Sequence, residues 1–275
     1  MNLVNSILNI TESYNAVKAY NKSLITNLFL NANRIEKLIK DNEFFKIRFE
    51  ETIFFLRKKN TFTNLYYYST SYESLEKSLK ELLKNINTET LIVDIISKDE
   101  INLEKYIFES SNFNIYTSLV RMSAMSDYQL TIQPNEAYIR NANEKDSIKL
   151  IKLLNNYFDP KAEQLPDLDD IYSWIKNDNI ILYVKDDEIL GFIIFDLTIT
   201  TLYLRYWFVH PSHRDLKIGS KLFKEFMYRG KNTKRQLFWV IQTNDNAINR
   251  YLHYGFKKEN MFNFVLTNKK INYEN

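Results

Sequence analysis

Every glycine in this 275-residue chain lies in its second half: Gly191, Gly219, Gly230 and Gly255 all follow residue 190, and the first 133 residues hold neither glycine nor proline. A turn that cradles phosphate needs backbone that comes close to the ligand and often takes positive φ, which glycine does at least steric cost. Chemistry on an anionic ligand is therefore expected in the second half. The other reading of the same absence is a first half that is simply helix-rich.

Composition narrows the classes further. Hydrophobic residues make 45% and charged residues 26% of the chain, which is globular usage and excludes disordered or fibrous classes. No apolar run approaches the roughly 18 residues of a spanning helix, and the opening MNLVNSILNITESYN lacks the pattern of a signal peptide. The expectation is a cytoplasmic protein that does not engage membranes. The absence of cysteine excludes disulfides, thiolate zinc sites and cysteine nucleophiles. The three histidines, His210, His213 and His253, show no metal-ligand spacing, so no metal is expected. A net charge of +3 is too slight to imply a nucleic-acid surface.

Apolar spacing from Leu3 to Ile39 predicts one long helix or two shorter ones. Three successive strands follow near 44–51, 52–58 and 62–69, then a helix from Tyr72 to Asn85 with Ser71 as its cap and Leu75, Leu79, Leu82 and Leu83 as its buried stripe. Leu91 to Ile96 reads as a strand buried on both faces. A short helix to Glu109 and strands through Met122 come next, and the boundary between domains is placed between Ser123 and Asn135, giving domains 1–130 and 135–275. Tyr66, Tyr67 and Tyr68 sit beside Arg57, Lys58 and Lys59. Strand alternation puts adjacent tyrosines on opposite faces, so they read as sheet packing, not as a platform for stacking bases.

The second half opens with a strand at 137–140 and a helix carrying Ile148, Ile151, Leu154 and Phe158 that Pro160 stops. Asp167 caps a helix through Ile175. Segments 180–185, 188–197 and 201–209 read as an antiparallel meander with a turn at Asp186 and Asp187. A loop to Lys217, a helix 218–228, a strand 237–241, a helix 246–254 and a final strand pair through Leu266 complete it. Strand, helix, strand with a crossover of this length implies parallel pairing and an α/β class with a mixed sheet.

Within His210 to Leu222, HPSHRDLKIGSKL, Arg214 and Gly219 have the spacing of a pyrophosphate loop, and NDNAINRYLHYGF places Asn244, Ala247, Tyr251, Gly255 and Phe256 in a second motif. Together, over roughly residues 137–268, the chain resembles the GNAT superfamily of acyl-CoA-dependent N-acyltransferases. Lys217 departs from that pattern, standing where the family's first glycine usually sits. The first half repeats the order of elements without the loop: LIVDIISKDEINLEKYIFESSNF parallels LFWVIQTNDNAINRYLHYGF, with Tyr106 opposite Tyr251 and Asn112-Phe113 opposite Gly255-Phe256. The expectation is a tandem GNAT fold behind an N-terminal helical segment, with a degenerate first half that does not bind the cofactor.

The resemblance implies acetyl-CoA as acyl donor. Backbone amides at the start of the 218 helix favour an anion, so Arg214, Asp215, Leu216, Lys217, Ile218, Gly219 and Ser220 form the expected phosphate loop. By resemblance, Trp207, Phe208 and Val209 hold the pantetheine and polarise the thioester carbonyl, Asn244 contacts the cofactor or braces the splayed strand, and Tyr251 is the general acid. An Asx turn ahead of the next helix is the other reading of Asn244. No base stands out among His210, His213 and Asp196. The expected activity is transfer of acetyl to the amine of a small molecule or peptide, with residues 159–174 and 196–203 lining the acceptor site and a homodimer allowed. The alternative is a non-catalytic acyl-CoA sensor or protein-interaction module on the same fold.

Overall fold

The computed structural model describes residues 1–20, 24–86, 89–100, 102–126 and 137–269. The chain divides into two compact units. The first comprises Met1–Leu119, Ile241–Thr243 and Asn260–Asn275, and the second Val120–Val240 and Asn244–Glu259. Most of the interval expected to hold the boundary lies outside the described residues, and the units are interleaved in sequence.

The N-terminal unit runs β1 (Asn2–Leu3), α1 (Ile7–Lys18), β2 (Ile25–Thr26), α2 (Ala32–Lys40), β3 (Phe44–Phe49), β4 (Thr52–Lys58), β5 (Thr63–Ser69), α3 (Tyr72–Asn85), β6 (Leu91–Ser97) and α4 (Leu103–Ser110), then enters β7 (Asn114–Met125). The apolar stretch to Ile39 thus forms two helices, and the segment between them leaves the helical path because β2 pairs with β5. Strands β3, β4 and β5 form an antiparallel meander, and β5 pairs in parallel with β6 at Thr63 and Asn64. The Ser71 side chain accepts the Ser74 N–H at 3.1 Å, capping α3. Tyr66 and Tyr68 pack with Phe44 and Phe55 in one core, whereas Tyr67 turns to the other face and packs on Phe108, as alternation requires.

The C-terminal unit begins with the end of β7 and continues through β8 (Ile139–Asn141), a 3-10 turn (Glu144–Asp146), α5 (Ser147–Tyr157), α6 (Leu168–Lys176), β9 (Ile180–Lys185), β10 (Glu188–Leu197) and β11 (Thr201–Val209). A second 3-10 turn (Pro211–Leu216), α7 (Ile218–Arg229), β12 (Arg235–Ile241), α8 (Asp245–His253) and β13 (Lys257–Thr267) follow. Asp186 and Asp187 both take positive φ, the type I′ geometry that lets β9 and β10 pair without splaying. Asp167 and Asp170 cap α6 reciprocally, at 3.0 and 3.1 Å. The core between the meander and helices α5 and α6 holds Leu150, Leu154, Ile171, Leu182, Phe192, Tyr206 and Phe208.

The last strands are not where the sequence order puts them. In place of the expected final strand pair there is one strand, β13, and its Phe262–Thr267 segment pairs antiparallel with β6 in the N-terminal unit. The end of β7 lies beside β12 in the C-terminal unit, where Ser126 N–H reaches Lys234 C=O and Glu259 binds Arg121, Ser123 and Arg235 together. Each unit completes its sheet with a strand from the other half of the sequence.

The internal repeat needs one correction. At the end of α8 the Phe256 N–H bonds Tyr251 C=O at 3.1 Å, with Gly255 at φ +86°; at the end of α4 the Phe113 N–H bonds Phe108 C=O at 3.0 Å, with Asn112 at φ +66°. Asn112-Phe113 therefore matches Gly255-Phe256, but the counterpart of Tyr251 is Phe108, not Tyr106. Counting back from the helix end puts Tyr106 on the outer face, where it is 65% exposed, while Phe108 is fully buried. Among the described residues no helix is long and apolar enough to cross a membrane.

Candidate functional site

Strand β11 alternates cleanly. Leu202, Leu204, Tyr206 and Phe208 are buried, while Tyr203, Arg205, Trp207 and Val209 point to the other face. Antiparallel pairing with β10 runs from Leu197↔Leu202 to Gly191↔Val209, interrupted by a bulge at Ile194/Phe195. Parallel pairing with β12 is confined to Thr201↔Arg235, Leu202↔Gln236 and Tyr203↔Leu237. A bulge increases the local twist, and beyond it β11 turns with β10 and leaves β12, opening a fork. The His210 N–H bonds Leu190 C=O at 2.8 Å on the β10 side. By alternation the backbone amides of Trp207 and Val209 face the fork. The Phe208 side chain packs 5.2 Å from Phe192 in the opposite core, so only its backbone belongs to this site.

The loop after β11 carries the second element. Pro211 opens the 3-10 turn, and Lys217 takes φ +56°, ψ +21°. This is the left-handed conformation that glycine adopts freely, reached here by lysine at a cost of about 1–2 kcal/mol. The departure from the family pattern at Lys217 is one of residue type, and its backbone takes the conformation that favours glycine. Helix α7 then starts without a side-chain cap, so its first-turn amides, those of Ile218, Gly219 and Ser220 among them, have no intrahelical acceptors, and the helix dipole adds to their pull on an anion.

Gly219 has a role in packing: a Cβ there would meet the Trp207 ring at 3.3 Å and the Val209 side chain at 3.4 Å. Its absence lets the first turn of α7 lie against the end of β11. The Ser220 hydroxyl accepts from Tyr254 Oη at 3.2 Å, which leaves its own proton for another acceptor. Arg214 and Lys217 are exposed, Leu216 is half-exposed, and Ile218 is buried, anchoring the helix. The side chain of Asp215 is outside the described residues.

Tyr251 lies in the fork. Its ring is 4.1 Å from Phe238 of β12 and 5.6 Å from Trp207 of β11, between centroids, and Trp207 stacks on Phe223 of α7 at 4.8 Å. Burial pushes the Tyr251 phenol above its ordinary value, with Arg250 opposing and the Glu163 charge reinforcing the shift. The Trp207 indole N–H is buried without a hydrogen-bond partner among the described residues, a donor the surrounding protein leaves unsatisfied. Asn244 caps α8, its side-chain oxygen accepting the Ala247 N–H at 3.1 Å, so the structure shows the Asx geometry at this position.

Glu163 went unnoticed in the sequence. It sits in the loop between α5 and α6, and no spacing marks it in the stretch KAEQ. The loop is pinned because Tyr206 Oη donates to the Gln164 carbonyl at 2.7 Å and the Glu163 N–H bonds Asp159 C=O at 2.8 Å. Burial pushes the Glu163 carboxyl up to about 7; a backbone hydrogen bond at Asp159 opposes this and the Asp159 carboxylate adds to it. Its charge is felt at the hydroxyls of both Tyr206 and Tyr251.

Two of the base candidates read from sequence, Asp196 and His210, are otherwise engaged. Asp196 accepts from Trp174 Nε1 at 2.8 Å and Arg205 Nε at 2.6 Å. His210 lies at the start of the 3-10 turn, accepting the Ser212 N–H and meeting Tyr157 Oη, each at 3.4 Å. The His213 Nδ1 is buried without a partner among the described residues.

The acetyltransferase (GNAT) family model matches residues 148–256. No curated protein matches the chain. Among solved structures, a GCN5-related N-acetyltransferase from Sphaerobacter thermophilus superposes with a TM-score of 0.57 at 13% identity, over 94% of this chain and 90% of that one. A GCN5-related N-acetyltransferase from Kribbella flavida gives 0.57 at 10% identity, over 86% and 93%. A tandem GNAT protein from the clavulanic acid biosynthesis pathway gives 0.52 at 9% identity, over 80% of each chain. At these identities the structural likeness speaks for fold alone. The family match spans the strand fork, the phosphate-type loop and the helix that carries Tyr251, so residues 148–256 form a GNAT-type domain.

Proposed function

We propose that the C-terminal unit transfers an acetyl group from acetyl-CoA to an amine. The observation that carries this reading is the fork: pairing of β11 with β12 ends at Tyr203, so the amides of Trp207 and Val209 are left unpaired on that side, and the first turn of α7 that follows is uncapped. These residues suit an elongated ligand with amides along its length and an anionic end. Trp207 and Val209 offer strand-type hydrogen bonds, the buried Trp207 indole offers another donor, and Gly219, Ser220, Arg214 and Lys217 offer amides, a hydroxyl and positive charge to phosphates. When bound, acetyl-CoA supplies the activated acyl group as a thioester.

The chain's own residues handle the protons. A free amine near pKa 10.4 is mostly protonated at neutral pH. Glu163, with its carboxyl pushed up to about 7, holds a carboxylate at pH 8 that is basic enough to take a proton from the ammonium or from a bridging water. Tyr251, held neutral by burial, donates the phenolic proton to the leaving sulfur. Two features favoured a non-catalytic sensor in the sequence, namely Lys217 and the lack of a base. The left-handed backbone at Lys217 and the half-buried Glu163 weaken both, so transfer is the reading we take.

The test is thermal unfolding with and without acetyl-CoA. Ligand at about 100 times its Kd adds about 2.7 kcal/mol, which for a protein of this size raises Tm by roughly 5 °C or more. No shift at millimolar ligand would remove the cofactor from the reading. If the shift appears, an amine screen for thiol release follows, and its failure across amines, amino acids and peptides would favour the sensor.

A further inference from the structure

The N-terminal unit has a fork of its own. Parallel pairing of β5 and β6 is confined to Thr63↔Leu91 and Asn64↔Ile92. Into the opening runs the segment between α1 and α2. Ile25 and Thr26 pair antiparallel with Ser69 and Tyr68. Asn27 then joins the two arms: its Nδ2 donates to Leu65 C=O on β5 at 3.0 Å and to Asp94 C=O on β6 at 3.1 Å, and its Oδ1 accepts the Tyr67 N–H at 2.9 Å. The residue is 6% exposed. One primary amide thus satisfies three backbone groups that the parting of the strands would otherwise orphan.

The start of the following helix is closed in the same way. Where the C-terminal unit has an eight-residue connection from His210 to Lys217, this unit has Thr70 and Ser71 alone between β5 and α3. The Ser71 side chain caps the helix, and the Glu51 carboxylate accepts from Thr70 Oγ1 at 2.5 Å and Ser74 Oγ at 3.1 Å. Those two hydroxyls hold the Glu51 carboxyl below the usual carboxylate range. An anion of the protein's own therefore sits at the helix N-terminus. Phe108, which lacks a hydroxyl, takes the place that Tyr251 holds in the other unit.

We propose that the N-terminal unit is an acyltransferase fold liganded by its own chain. Asn27 lies where the amide arm of a thioester cofactor would run and Glu51 where its phosphates would sit, so the protein takes one cofactor per chain. The comparison with a cofactor rests on the function proposed above; the closure of the fork does not. The unit's role is then to complete the fold, and a search for a second active site in it will fail.

Hydrogen exchange on the full chain tests this, with peptides covering 63–69 and 91–97 followed with and without millimolar coenzyme A. No ligand-dependent change is expected in either peptide. In Asn27→Ala the 63–69 peptide, which contains the Tyr67 amide, exchanges roughly tenfold faster, while peptides over 201–209 and 235–241 are unchanged. Protection of 63–69 or 91–97 by coenzyme A in the wild-type protein overturns the proposal, because the fork would then be open to ligand. Unchanged exchange in a folded Asn27→Ala also overturns it, because the amide would not be what closes the fork. If Asn27→Ala does not fold, the wild-type titration still decides. If coenzyme A protects neither unit, the function proposed for the C-terminal unit fails and the Asn27→Ala comparison decides the present point alone.

Discussion

Replacing Tyr251 by Phe separates the chemistry of the fork from its packing. The ring is held by Phe238 at 4.1 Å, Trp207 at 5.6 Å and Phe223 at 6.3 Å, and all three contacts survive the change. The hydroxyl has no hydrogen-bond partner among the described residues, so its loss orphans nothing, and stability should change by no more than about 0.5 kcal/mol. Burial keeps the phenol protonated throughout the neutral range. A thiol in water has a pKa near 8.5, so transfer from a raised phenol to a solvated thiolate runs uphill. Within the same apolar fork the leaving thiolate is raised by the same desolvation, and the transfer becomes feasible.

Loss of a positioned acid costs about 10²–10⁴ in rate, or roughly 2.7–5.5 kcal/mol in activation free energy. The assay is release of free thiol at saturating acetyl-CoA with an acceptor found by screening. The variant should show kcat lowered at least about a hundredfold and KM for acetyl-CoA unchanged within about twofold. A kcat within threefold of wild type, or equal losses in cofactor affinity and turnover, would refute the assignment.

Four further outcomes follow from the geometry. Glu163→Gln should lower kcat/KM and flatten the limb of the pH profile that rises through about 7 in the wild type; an unchanged limb would put the base elsewhere. The fold prefers the protonated Glu163, so its contribution to stability is complete below the unfolded value near 4.5 and is lost as pH rises through the folded value of about 7. Glu163→Gln should accordingly raise Tm at pH 8 and leave it nearly unchanged at pH 4, and equal shifts at both would contradict the burial argument. Lys217→Gly relieves a left-handed lysine at φ +56°, and the gain of about 1–2 kcal/mol is partly offset by about 0.5–1 kcal/mol of extra chain entropy. Urea unfolding should show a net stabilisation, and a loss would mean that the lysine side chain anchors the loop. A protein cut to residues 135–275 lacks the β7 residues beside β12 and leaves Phe262–Thr267 without β6. It should show no cooperative thermal transition, and a sharp one would make the exchanged strands dispensable.

Much of this molecule is legible along the chain because periodicity is a local property. The strands at 180–185, 188–197 and 201–209 and the helix from Tyr72 to Asn85 fall where alternation and caps put them. The two motifs around Gly219 and Tyr251 converge on one fork because each has its own local reason, a helix start and a helix end. Tyr106 does not match Tyr251 because it stands six residues before Asn112, whereas Tyr251 stands four before Gly255; Phe108 has that spacing, and the two positive-φ residues show that the helix ends are what must be aligned.

What the sequence determined by itself was the repeated α/β order, the place of the phosphate-type loop and the lack of glycine in the first half, all written in residues a few positions apart. The tertiary structure alone decided the rest. A lone glutamate becomes a base candidate only when folding buries it near Tyr251, since desolvation belongs to surroundings and not to spacing. Asn27 becomes a strand-like ligand only when β5 and β6 part around it, with partners 38 and 67 residues away. The exchange of the last strands has no local signal, because a strand's pattern specifies the face it buries and not the sheet it joins.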